Sequence, residues 1–162
     1  MQIVKATLKD IDWIVYFIKE LAVYEKMQDE VLVTKDLIKK WIFEEKKAEV
    51  ILLVKDKPIG FALYFNNYST FVGKPGIYLE DIYIEPSERG KGYGKEVFKY
   101  LAKTAYENDY GRIEWSCLNW NKPSVDFYLS IGAKPMDEWT VFRLDKKSIT
   151  KILEGDLWED LS

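Results

Sequence analysis

The sequence contains no histidine, only one cysteine and no long apolar run. Without imidazole, Ser-His-Asp and Cys-His catalysis are excluded, and so are imidazole metal sites. With Cys117 alone, neither an intrachain disulfide nor a multi-thiolate metal centre can form, and no metal is expected. No segment approaches the roughly 18 apolar residues of a membrane span. The first twelve residues carry charge where a signal peptide needs an apolar core. The expectation is a cytoplasmic protein with no membrane partner. A basic face is missing as well. The net charge is −3, with 24 Lys and Arg and 27 Asp and Glu mixed along the chain, which argues against a nucleic-acid partner.

Apolar residues are plentiful: 48% of the chain is hydrophobic and 15% aromatic. A chain of 162 residues suits one domain over 1–162, large enough to bury about 68–70% of its unfolded surface. No repeat, low-complexity tract or linker interrupts it. Ile3 to Ala6 reads as a short strand, and Thr7 with Asp10 as a capping box. Ile11, Ile14, Val15, Ile18, Leu21 and Ala22 then fall on one helical stripe. Thr34 caps a second helix carrying Leu37, Ile38, Trp41 and Ile42. Val50–Val54 and Ile59–Phe65 read as a hairpin, Asn66–Gly76 as a loop and Ile77–Ile84 as a strand.

A helix with Val97, Phe98, Leu101, Ala102 and Ala105 follows, then a strand over Arg112–Leu118. Pro123 opens a further helix that Gly132 ends. Trp139–Leu144 reads as a last strand, with a short one at Ala133–Met136 as an option. Leu157, Trp158 and Leu161 share helical spacing near the end and suit docking on a partner subunit. The class is α/β: a mixed central sheet of six or seven strands flanked by helices on both faces.

The most informative stretch is Glu85-Pro-Ser-Glu-Arg-Gly-Lys-Gly-Tyr-Gly-Lys95. A strand ends, glycines recur at 90, 92 and 94, and a long helix begins. Glycine permits positive φ and close approach to backbone N–H groups. The helix N-terminus favours an anion. Arg89, Lys91 and Lys95 add cations. The spacing fits neither a P-loop, since Glu96 follows Gly94-Lys95, nor the dinucleotide fingerprint, since only Tyr93 separates Gly92 from Gly94. An ordinary strand-to-helix turn with solvated lysines is the alternative.

Arg89-x-x-Gly92-x-Gly94, after Leu79-Glu-Asp-Ile-Tyr-Ile-Glu-Pro86, resembles the acetyl-CoA motif of the GNAT superfamily of N-acetyltransferases. The element order resembles that superfamily over nearly the whole chain. Lys19 to Met27, Tyr78-Leu-Glu-Asp81 and Trp120-Asn-Lys-Pro-Ser-Val-Asp-Phe-Tyr128 further resemble the diamine (spermidine/spermine-type) acetyltransferases. The resemblance implies that backbone amides of Arg89, Gly90, Lys91, Gly92, Tyr93, Gly94 and Lys95 hold the pyrophosphate of acetyl-CoA. It implies that Ile82, Tyr83 and Ile84 pair with the pantetheine arm, that Asn121 hydrogen-bonds the cofactor, and that the protein is a homodimer. Two positions depart from the diamine pattern. The loop Tyr68-Ser69-Thr70-Phe71 lacks an acidic residue, and Gln28-Asp29 replaces an acidic pair.

Acetyl transfer needs an amine stripped of its proton and a stabilised leaving thiolate. Glu80 is the candidate base, placed by strict alternation on one face with Tyr78, Ile82 and Ile84 in partly apolar surroundings, while Asp81 points to the other face. A structural carboxylate is the alternative for Glu80. Tyr128 is the candidate acid, the role the resemblance implies; a core aromatic beside Val125 and Ile131 is the alternative. A plain N-cap is the alternative for Asn121. Cys117 reads as core packing. Tyr24, Glu25, Asp29, Glu80 and Asp81 would attract an ammonium substrate, or simply be solvated surface. The leading reading is an acetyltransferase for a small primary amine, a diamine or a lysine analogue. A protein or peptide acetyltransferase and a non-catalytic coenzyme A binder are the rivals.

Overall fold

The computed structural model describes residues 1–155; Leu157, Trp158 and Leu161 lie outside the described residues. The chain divides into two compact units, Met1–Asp126 and the residues from Phe127 onward. The first unit is built on five strands in the order β1 (Gln2–Lys5), β2 (Glu49–Val54), β3 (Pro58–Ser69), β4 (Lys74–Ile84) and β5 (Ile113–Trp115). The first four pair antiparallel, and β4 pairs with β5 in parallel. The sheet is mixed, as expected, with five strands among the described residues rather than six or seven.

α1 (Ile11–Tyr24) packs on β3 and β4. Its first turn is preceded by the expected box, in which the Asp10 carboxylate accepts from the Thr7 N–H at 2.7 Å and the Thr7 hydroxyl at 2.8 Å. Ile14, Val15 and Phe17 from α1 meet Val50, Leu52, Phe61 and Tyr83 from the sheet. The Phe17 and Phe61 rings stack at 5.7 Å. Each such buried apolar side chain contributes about 1.5–3 kcal/mol. α2 (Lys35–Ile38), capped by Thr34 Oγ1 accepting from Leu37 N at 3.2 Å, runs on as a π-helical segment over Lys39–Glu44. α3 (Tyr93–Glu107) buries Val97, Phe98, Leu101 and Ala105, and Phe98 meets Trp115 of β5 edge-on at 4.8 Å.

Three expectations are corrected. Asn66–Gly76 is not a loop: Asn66 pairs with Ile77 and Ser69 with Lys74, leaving only residues 70–73 as the turn. The ladder overrides the turn-rich local composition. β5 covers three residues of the expected seven. Neither Ala133–Met136 nor Trp139–Leu144 forms a strand. In this second unit the Trp139 N–H folds back onto the Met136 carbonyl (3.1 Å), bending the chain where the strand was to begin. Trp139, Val141, Phe142 and Leu144 are all exposed instead of alternating.

α4 (Lys122–Ser130) carries Tyr128 in its second turn. The second unit also holds a helix the sequence reading missed, α5 (Lys146–Glu154), whose cap is Asp145 Oδ1 accepting from Ser148 N at 2.8 Å.

Candidate active site

β5 pairs with β4 only at Ile77, Tyr78 and Leu79. Beyond Leu79 the outer edge of β4 has no neighbouring strand among the described residues. The Ile84 carbonyl faces that edge, since it accepts from Arg89 Nε at 2.8 Å. By the two-residue period of a strand, the backbone groups of Ile82 face the same way, and those of Tyr83 face β3.

At the end of β4 a 3₁₀ turn over Pro86–Glu88 leads into α3. Gly90 and Gly92 have φ of +75° and +83°, and a Cβ at either would meet nothing within 4 Å. These residues are therefore glycine for their backbone conformation and leave space above the turn. Among the described residues the N–H groups of Gly90, Lys91, Gly92, Tyr93 and Gly94 meet no acceptor within the protein. Those of Arg89 and Lys95, expected to be open, donate to the Pro86 carbonyl at 3.3 Å and the Gly92 carbonyl at 3.0 Å, because the turn and the helix close on themselves there. Lys91 is engaged instead by Glu88 at 3.0 Å, and Lys55 holds the same carboxylate at 3.3 Å. The Lys91 bond, first among these, holds the Glu88 carboxyl below its usual range. Lys95 is exposed in the first turn of α3. Open amides at a helix N-terminus, unfilled space and nearby cations suit an anion such as a pyrophosphate. The residues therefore fit coenzyme A.

The carboxylates do not lie as strict alternation placed them. The β3–β4 register pairs Leu63 with Asp81 but Tyr64 with Leu79, so Glu80 is the extra residue of a β-bulge. The alternation restarts there, leaving Tyr78 out of phase with Ile82 and Ile84. Glu80 is exposed, and Asp81 is the carboxyl that is largely sheltered from solvent. Burial first, then the charges of Glu80 and Glu25, pushes Asp81 from 3.8 up to about 7. No feature of a single strand announces the bulge, so which of the two neighbours is sheltered was not legible.

Glu25, half-buried, is itself raised by burial. It follows the last residue of α1, which closes with Lys26 at φ +60° and the Met27 N–H on the Ala22 carbonyl at 2.8 Å. A lysine in the left-handed region costs about 1–2 kcal/mol. Cys117 is half-buried; burial and then Glu25 push its thiol up, so it stays protonated and a poor nucleophile.

Asn121 is 6% exposed. Its Oδ1 accepts from Tyr24 Oη at 3.0 Å and from Ser124 N at 3.4 Å, so the N-cap of α4 is also the partner of Tyr24. The Arg89 guanidinium carbon lies 4.8 Å from the Tyr24 ring centroid and 5.4 Å from that of Tyr83. Thus contacts join Tyr24, Arg89 and Asn121, and charge couples Asp81 to Glu80 and Glu25. Asp29 stands exposed in a 3₁₀ turn over Gln28–Glu30, outside the charges acting on Asp81. Tyr128 is half-buried, with its ring 5.5 Å from Phe127.

Open amides at the glycine turn, and a carboxyl raised to about 7 on the strand that leads into it, suit a group-transfer enzyme whose donor carries phosphate and whose acceptor carries a proton. The chain belongs to the acetyltransferase (GNAT) family, whose profile matches residues 8–133. It is an acetyltransferase, and acetyl-CoA is the donor this family uses. Thialysine N-epsilon-acetyltransferase of Sus scrofa is 32% identical over 152 residues, covering 86% of this chain and 89% of its own. The enzyme of the same name from Caenorhabditis elegans is 31% identical over 94% of this chain and 97% of its own. Among solved structures, an integron cassette protein of V. cholerae superposes with a TM-score of 0.79 at 26% identity, covering 94% of this chain and 97% of that one. No described helix is long and apolar enough to cross a membrane.

Proposed function

We propose that the enzyme acetylates the primary amine of a small molecule of the lysine-analogue or diamine type, by direct attack with both substrates bound. The observation that carries this is the Glu25, Glu80 and Asp81 cluster, with Asp81 three residues before the end of the strand that leads into the glycine turn. Two relatives named for thialysine support the same acceptor class. Backbone amides from Gly90 to Gly94 hold the pyrophosphate, and the open groups of Ile82 hold the pantetheine arm. When bound, acetyl-CoA supplies an activated acetyl thioester.

The three carboxylates draw in the ammonium ion. Asp81 then takes a proton from the ammonium nitrogen, because a base titrating at about 7 is half-ionised at neutral pH. Glu80, exposed beside it, holds the approaching cation and sustains the raised basicity of Asp81 through its charge. The Tyr128 hydroxyl gives its proton to the departing sulfur, a near-balanced transfer because phenol and thiol titrate close together. The reading also includes a homodimer that works in the cytoplasm without nucleic acid or membrane; light scattering in solution checks the mass.

The test is coenzyme A release from acetyl-CoA with a panel of lysine analogues, ornithine, diamines, polyamines and lysine peptides. Free amines with kcat/KM at least tenfold above any peptide are expected. Acetylation of peptides alone would overturn the acceptor class.

A further inference from the structure

The side chains between the glycine turn and α4 form a continuous chain. Arg89 Nε donates to the Ile84 carbonyl at 2.8 Å, and its guanidinium lies over the rings of Tyr24 and Tyr83 at 4.8 and 5.4 Å. A planar guanidinium placed this way is oriented by the carbonyl and held by both π faces. The Tyr24 hydroxyl then donates to Asn121 Oδ1 at 3.0 Å, and that oxygen also accepts from Ser124 N in the first turn of α4. Trp120 flanks the Tyr24 ring at 6.1 Å, and Lys26 lies over Trp120 at 5.3 Å. Both ends of Tyr24 are therefore engaged: the ring by Arg89 and the hydroxyl by Asn121.

From this geometry we infer that Tyr24 is a positioning residue for the cofactor site. Its side chain ties the turn that takes the pyrophosphate to the N-cap of α4, and it does not receive the alkylammonium substrate. Arg89 acts through Tyr24 and Ile84 to hold the shape of the turn, while the anion is met by backbone amides. Anchoring both ends in advance lowers the ordering needed when the cofactor binds. The inference rests on the proposed reading of the turn as a coenzyme A site.

The experiment compares wild type, Tyr24→Phe, Asn121→Ala and the double variant. Coenzyme A affinity is measured by calorimetry, both Michaelis constants by the release assay, and the melting temperature on the same protein. A wild type that does not bind coenzyme A overturns the proposed function and this inference with it. Given wild-type binding, Tyr24→Phe should weaken coenzyme A about two- to tenfold, the worth of one neutral hydrogen bond, with the KM for amine unchanged. The double variant should be no weaker than Asn121→Ala alone, since both changes break one link. A raised amine KM with unchanged coenzyme A affinity would place Tyr24 against the substrate and overturn the inference. A lowered melting temperature with both constants unchanged would reduce Tyr24 to packing, and additive losses would deny the link. Should Asn121→Ala not fold, Tyr24→Phe and its split between the two constants still decide.

Discussion

Asp81→Asn separates the chemistry of the site from its stability. Asp81 rises from 3.8 to about 7 in the folded protein, a difference of about 4 kcal/mol between its two protonation states. Below pH 4 folded and unfolded chains both carry the proton, and burial costs nothing extra. Between pH 4 and 7 the unfolded chain ionises while the folded one stays protonated, so stability falls as pH rises. Above pH 7 both are ionised and the loss is complete. Asparagine has the same shape and no charge, so the variant escapes this fall.

Relative to wild type, Asp81→Asn should gain about 2–3 kcal/mol between pH 5 and pH 8. In a chain of this size each kcal/mol moves Tm by about 2–4 °C, so the gap in Tm should widen by roughly 5–10 °C across that range. The constant offset from altered hydrogen bonding drops out, because only the widening is read. Turnover of the same variant should fall by about 10²–10⁴-fold if Asp81 is the proton acceptor. Wild-type kcat/KM should rise with pH through about 7. Glu80→Gln is the companion measurement. Removing its charge lowers the Asp81 pKa, so the activity profile should move to lower pH. A gap in Tm that stays constant from pH 5 to pH 8 would refute the reasoning, because it would mean that Asp81 titrates alike in both states.

Two further outcomes are expected. Gly92→Val places a β-branched residue at φ +83° and should weaken acetyl-CoA binding by about 1.5–3 kcal/mol in calorimetry, the cost of a charge-assisted hydrogen bond at the displaced turn; unchanged affinity would remove the turn from the site. Tyr128→Phe should lower turnover about 10²–10⁴-fold with acetyl-CoA affinity changed well under tenfold, whereas normal turnover with a shifted Tm would make Tyr128 a packing residue.

The glycine turn was legible because its causes are local. A strand end, glycines at fixed offsets and a helix start lie within eleven consecutive residues, and the positive φ at Gly90 and Gly92 follows from residue type. The stripe of α1, that of α3 apart from Ala102, which is exposed, and the Thr34 cap were legible for the same reason. Composition alone likewise excluded histidine chemistry and disulfides.

Pairing between distant residues decided the rest. Asn66–Gly76 carries turn residues, yet its partners across β3 and β4 make most of it strand. Trp139–Leu144 has strand-forming residues but no strand to pair with among the described residues, and a strand without a partner leaves its backbone groups to water. The site turned on one such long-range event. A bulge at Glu80 shifts the register by one residue, and because side chains alternate every two residues, that single insertion leaves Glu80 exposed and Asp81 sheltered. Local alternation separates two adjacent carboxylates but in the wrong phase here; only the ladder, which joins residues some 18 positions apart, shows where the alternation restarts.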